Sequence, residues 1–205
     1  MTDPAGGAPA PQGSGNWQPG GGASGGFQAA PVEAGPAPGV AYADLVTRII
    51  AYIIDAILLS VVFGVVGIAI LGSFLLTGGV AGALIGFVVL GVLYLAGSAI
   101  YFIYTWTTMR ASPGQKVMSL ETVNAADGAT LTRDQAIRRW AFLFGPSAVA
   151  TVANFALTGS IGLLGSLISL ASLGYTIYLL YTASQSPKRQ GFHDVQATTV
   201  VVKRS

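Results

Sequence analysis

The sequence predicts an all-α membrane protein of four transmembrane helices, with N- and C-termini on the cytoplasmic side. Three observations point there. Residues 56–109 and 140–187 contain no charged side chain, and each run is too long for one pass of a ~30 Å hydrocarbon core, which takes roughly 20 residues. Only 9% of the chain is Asp, Glu, Lys or Arg, against about 25% in soluble domains. Of the ten Lys and Arg residues, five lie in 106–139 and four in 184–205. Basic loops stay cytoplasmic, so four passes put both basic segments and the N-terminus on one side, whereas three would separate them.

Residues 1–39 hold 11 glycines and 7 prolines and are expected to be a disordered tail, because such a segment buries too little apolar surface to offset its ordering entropy. Trp17 and Phe27 are its candidate contacts for a protein partner. No Lys or Arg precedes Arg48, so the positive region of a secretory signal is missing and the tail is expected on the mature protein. The remaining 40–205 form one membrane domain.

Helix 1 is expected over about 44–71, with Gly78 and Gly79 turning the chain into helix 2 at 80–105. Gly78, Gly82 and Gly86 recur every fourth residue, the spacing of a close-packing face; glycine is also simply common in membrane helices. The cytoplasmic loop 106–139 contains "KVMSLETV", with the branched residues of a strand, and "ADG", a turn. Thr132 and Gln135 fit a capping box that starts an amphipathic stretch running into helix 3, 140–157, where "GP" at 145–146 is a candidate kink. Helix 4 follows at 161–183. The cytoplasmic tail 184–205 ends in "ATTVVV", and runs 116–123 and 197–202 are expected to pair as a two-stranded β ribbon over the helix ends.

Within "LVTRIIAYIIDAILLSVV" (45–62), Arg48 and Asp55 are seven residues apart, so they share a helix face about 10 Å apart along the axis. Arg48 can snorkel to the headgroups. Asp55 cannot, and a mid-helix carboxylate costs roughly 2.5–3.5 kcal/mol on insertion scales. Its candidate surroundings are polar stripes: Tyr94, Ser98, Tyr101 and Thr105 in helix 2, Ser147, Thr151, Asn154 and Thr158 in helix 3, and Ser166, Ser169, Ser172 and Thr176 in helix 4. Two roles stay open for Asp55: a site that binds and releases a proton or small cation, or a hydrogen-bonded residue that fixes helix packing.

The order of these features resembles the RDD family of small prokaryotic membrane proteins. "TRIIAYIID" supplies its arginine and first aspartate as Arg48 and Asp55. "SPGQKV" (112–117), "DG" at 127–128 and Arg138 resemble its central loop, and "KRQGFHDVQATTVVV" its ending, which makes Asp194 the candidate second aspartate. A Gly/Pro-rich N-terminus is similar to the actinobacterial proline-rich antigen type of member, although this tail is shorter and richer in glycine and alanine. The resemblance implies residence in a prokaryotic plasma membrane and a transport role, with cation/proton antiport associated with some members.

Asp194 is expected beside His193 at the cytoplasmic surface, clamping Arg48 or Arg138. Arg138, Arg139, Lys188 and Arg189 are candidates for anionic lipid headgroups. "SPGQK" lacks the spacing of a phosphate loop, no nucleophile–base or metal constellation appears, and the chain has no cysteine. No enzyme activity, cofactor, metal or nucleic-acid partner is therefore expected. Two functions remain: a transporter or transporter component for a cation or small solute, working as a homo-oligomer, or a non-transporting scaffold whose tail recruits partners.

Overall fold

The computed structural model describes residues 40–157 and 162–204, with the side chains of 151–164 and of residue 204 outside that description. The tail 1–39 and residues 158–161 therefore lie outside the described residues. The order is β1 (Val40–Tyr42), α1 (Leu45–Thr108), α2 (Pro113–Val117), β2 (Leu120–Asn124), α3 (Arg133–Leu157), α4 (Gly162–Gln185), α5 (Phe192–Gln196) and β3 (Thr199–Arg204).

The segment α1 is a helical hairpin. Asp44 caps its start, accepting from the Thr47 amide at 2.9 Å, and the helical backbone breaks only at Gly79, with φ 55° and ψ −141°. That conformation is open to glycine and strained for any other residue. The first arm, 45–78, runs beyond the expected end near Leu71, because nothing before Gly79 breaks it. The second arm, 80–108, folds back tightly: a Cβ on Gly82 would lie 2.1 Å from the Phe74 carbonyl, and one on Gly86 3.2 Å from Leu71 and Phe74. Gly82 and Gly86 thus form the close-packing face, while a Cβ on Gly78 would meet nothing within 4 Å. Farther along, Phe63 packs edge-on against Tyr94 at 5.0 Å.

Helix α3 runs unbroken through Pro146. Proline leaves the carbonyl four residues back without its amide partner, and the Tyr175 hydroxyl of α4 donates to that Phe142 carbonyl. The apolar faces turn outward: Ile68, Leu76 and Val80 are 79, 88 and 77% exposed. Two helical segments, Leu45–Thr108 and Gly165–Gln185, are long and apolar enough to cross a membrane, and only 17 and 11% of their most apolar windows are buried.

The expected two-stranded ribbon is a three-stranded sheet of order β1-β3-β2. Val40–Tyr42 adds the extra antiparallel strand on β3, three residues too short to stand out after a Gly/Pro-rich tail. The expected strand at 116–123 begins only at Leu120, because Ser112, Pro113 and Gln115 start a capped helix there.

The chain uses one plan twice. Ser112 and Gly191 are N-caps, Gln115 and Asp194 reach back from the third helical position to the N-cap amide at 2.9 and 3.2 Å, and each helix has five residues. Left-handed residues flank both units at the same offsets, Arg110 and Ser119 in one and Arg189 and Thr198 in the other. The strands then pair with Thr122 opposite Val201, Leu120 opposite Lys203 and Asn124 opposite Thr199. A shift of 79 residues maps that ladder onto itself, so a local two-fold axis passes through the Thr122–Val201 pair. Each unit follows a helical hairpin, α1 in one half and α3–α4 in the other.

Candidate functional site

Two carboxylates organise the face where the sheet meets the helices. Asp55, 2% exposed, accepts from the Tyr101 hydroxyl at 2.7 Å and the Gly114 amide at 2.8 Å, and also from the Ser112 hydroxyl. Both of its oxygens are occupied. Gly114 permits this approach: a Cβ there would lie 2.1 Å from the Ala51 carbonyl and 2.9 Å from the Asp55 carboxyl. "SPGQ" thus has a local reason at each position. Ser112 caps α2 and bonds Asp55, Pro113 opens the helix, Gly114 leaves room, and Gln115 closes the capping box.

Asp194, fully buried, is the second centre. Its Oδ2 accepts from Arg48 and from the Gly191 amide, each at 3.2 Å, and its Oδ1 accepts from Arg139. Arg48 also donates to the Val201 carbonyl at 3.0 Å, and Arg139 to the Thr199 hydroxyl at 2.7 Å. Truncating one member of such a buried set leaves an uncompensated charge, which costs about 3–5 kcal/mol.

The two centres are connected. The Arg139 guanidinium lies 5.0 Å over the Trp106 ring, and Trp106 Nε1 donates to Gln115 Oε1 at 3.2 Å. Gln115 in turn shares its capping box with Ser112, the donor to Asp55. Gln115 Nε2 ties the same group to the sheet through Thr122 Oγ1 at 2.9 Å.

Burial and the neighbouring Arg48 charge lower Arg139 to about 9, so it is cationic at neutral pH. Burial first, then the Arg139 and Arg48 charges, push His193 well below 6.5, so it is neutral; its Nε2 lies 3.6 Å from Asp194. Two guanidinium groups thus share the Asp194 carboxylate, and Asp55 follows farther along the same wall.

The corner closes one end of a cavity of about 1310 Å³ walled by α1, α3 and α4. Arg48, Asp55, Arg139, His193, Tyr94 and Ser98 line it, whereas Tyr101 is not in the wall and spends its hydroxyl on Asp55. The side chains of Thr151 and Asn154 lie outside the described residues. Arg139 is a buried clamp residue, not a headgroup residue on the surface, and Arg138 makes no contact with Asp194, pairing instead with Asp134 at 3.0 Å in the open. The helical phase explains the exchange. Ala136, Arg139, Leu143 and Ser147 follow one face of α3, and Arg138 is a 100° step away from it. Lys188 is exposed and Arg189 half-buried.

A helical domain with outward apolar faces, capped on one side by a sheet and an Arg–Asp network, is a membrane-type domain. The family model of the RDD family matches residues 42–198, and the chain belongs to that family. No curated protein and no solved structure matches the chain.

Proposed function

We propose that this RDD domain is a four-pass protein of a prokaryotic plasma membrane that acts as a transporter or transporter component for a small solute held between its two hairpins. The cavity of about 1310 Å³, walled by both hairpins and polar at one end, carries this reading. Transporters built from parallel repeats hold their substrates at the repeat interface. The topology is supported by the sheet, since its three strands flank the starts and ends of the hairpins. Each hairpin then leaves and returns on the same face, and the basic segments 106–139 and 184–205 make that face cytoplasmic. A homo-oligomer would supply the wall that four helices leave thin.

Everted membrane vesicles with a pH-sensitive dye test the cation branch, comparing wild type, Asp55→Asn and empty vector with sodium, potassium or lithium. Cation-dependent dequenching lost in an inserted Asp55→Asn variant assigns exchange through Asp55. Identical traces from all three preparations overturn it.

The scaffold reading has its own support in the three donors already committed to Asp55, which suit a packing residue. In it, residues 1–39 recruit the partners, so deleting them abolishes function while the helical domain still inserts.

A further inference from the structure

The guanidinium end of the cavity keeps polar atoms that the described residues leave unpaired. Arg48 and Arg139 share one carboxylate, and Arg48 Nε, Arg139 Nε and His193 Nδ1 have no hydrogen-bond partner among the described residues. All three residues line the cavity, and the Arg139 side chain is only 5% exposed. A buried guanidinium N–H without an acceptor is costly. The opposite part of the wall is apolar, with Leu84, Phe87, Val88, Leu95, Phe144 and Leu180. At about 1310 Å³ the space exceeds the roughly 300–1,000 Å³ of small-molecule pockets.

We infer that the cavity binds one anionic phospholipid from the surrounding bilayer, its phosphate against Arg48 and Arg139 and an acyl chain along the apolar wall. A free inorganic anion would satisfy the donors and leave the apolar wall empty. A zwitterionic lipid would fill the wall but bring its own cation beside the two guanidinium groups. Basic pockets between helices on the cytoplasmic side suit such headgroups. The inference rests on the membrane reading above and names the class of molecule its cavity takes, whether or not that molecule is moved.

Trp106 reports on the site because it lines the cavity beneath Arg139. Full-length protein carrying Trp17→Phe and Trp140→Phe, in detergent micelles, is titrated with phosphatidylglycerol or phosphatidylcholine bearing brominated acyl chains. Half-maximal quenching is expected at about a tenfold lower mole fraction of phosphatidylglycerol, and inorganic phosphate does not compete. Arg48→Gln removes the preference. Should that variant not fold, Gly91→Phe serves instead: Gly91 lines the cavity and its Cβ would meet open space, so the ring fills the chamber and abolishes quenching by both lipids.

Equal quenching by the two lipids overturns the inference. So does competition by inorganic phosphate, which makes the site one for a free anion. A phosphatidylglycerol preference that survives Gly91→Phe overturns it as well, because the exposed Arg138 and Lys188 then hold the lipid. Lipid preference retained by a protein with no vesicle signal removes only the transport reading, and the converse result removes only the lipid.

Discussion

The amide of Gly114 donates to the carboxylate of Asp55 at 2.8 Å, across 59 residues of chain. This bond fastens the α2 end of the sheet-side cap to the first helical arm, and its geometry requires glycine. Gly114→Ala forces a Cβ onto the Ala51 carbonyl. Overpacking of this kind costs about 1–3 kcal/mol, so a clear fall in melting temperature in detergent is expected. Gly174→Ala, where a Cβ meets nothing within 4 Å, should leave it nearly unchanged.

Substitutions at Asp55 separate shape from charge. Asparagine retains an acceptor for Tyr101 and Gly114, and the Ser112 hydroxyl can turn to accept from its amide, so Asp55→Asn should fold with a modest loss. Asp55→Ala leaves three buried donors facing nothing, each costing about 1–3 kcal/mol. Thermal melts should rank wild type, Asn and Ala in that order; equal melts for Asn and Ala would refute the hydrogen-bonding account.

Removing the second carboxylate should be still more damaging. Asp194→Ala strands Arg48 and Arg139, at about 3–5 kcal/mol. A double-mutant cycle of Arg139→Gln with Asp194→Asn should show strong coupling, because the residues touch. The same cycle with Arg138 should be additive, since Arg138 pairs with Asp134.

Tyr175→Phe deletes the hydroxyl that satisfies the carbonyl freed by Pro146. A loss of about 0.5–1.5 kcal/mol is expected, the net worth of one hydrogen bond. Pro146→Ala restores the amide to α3, so in that background Tyr175→Phe should cost much less.

Stability should also fall on acidification through His193. Its folded pKa lies well below 6.5, while the unfolded histidine takes up a proton below about pH 6.5. The unfolded state then binds more protons, so stability rises with pH through this range and is lost as pH drops beneath it. Melting temperatures from pH 5 to 8 should show this slope in wild type, and His193→Gln should flatten it.

The sequence by itself determined the apolar, membrane-type class of domain and the capped start of α3 at Thr132, and it singled out Arg48, Asp55 and Asp194 as the charged residues to follow. These are local matters: charge-free runs, a capping pair and a motif are all visible within one segment. The tertiary structure decided which arginine meets Asp194, because Arg138 and Arg139 differ only in helical phase and the inner face of α3 is fixed by what packs on it. It also decided that 113–117 is a helix and 40–42 a strand, elements too short to show a period. The repeat was hidden for a related reason: between 112–124 and 191–203 only Val123 and Val202 coincide. What the halves share is a cap, a left-handed residue and a strand register, and these are properties of the backbone that unlike side chains satisfy equally well.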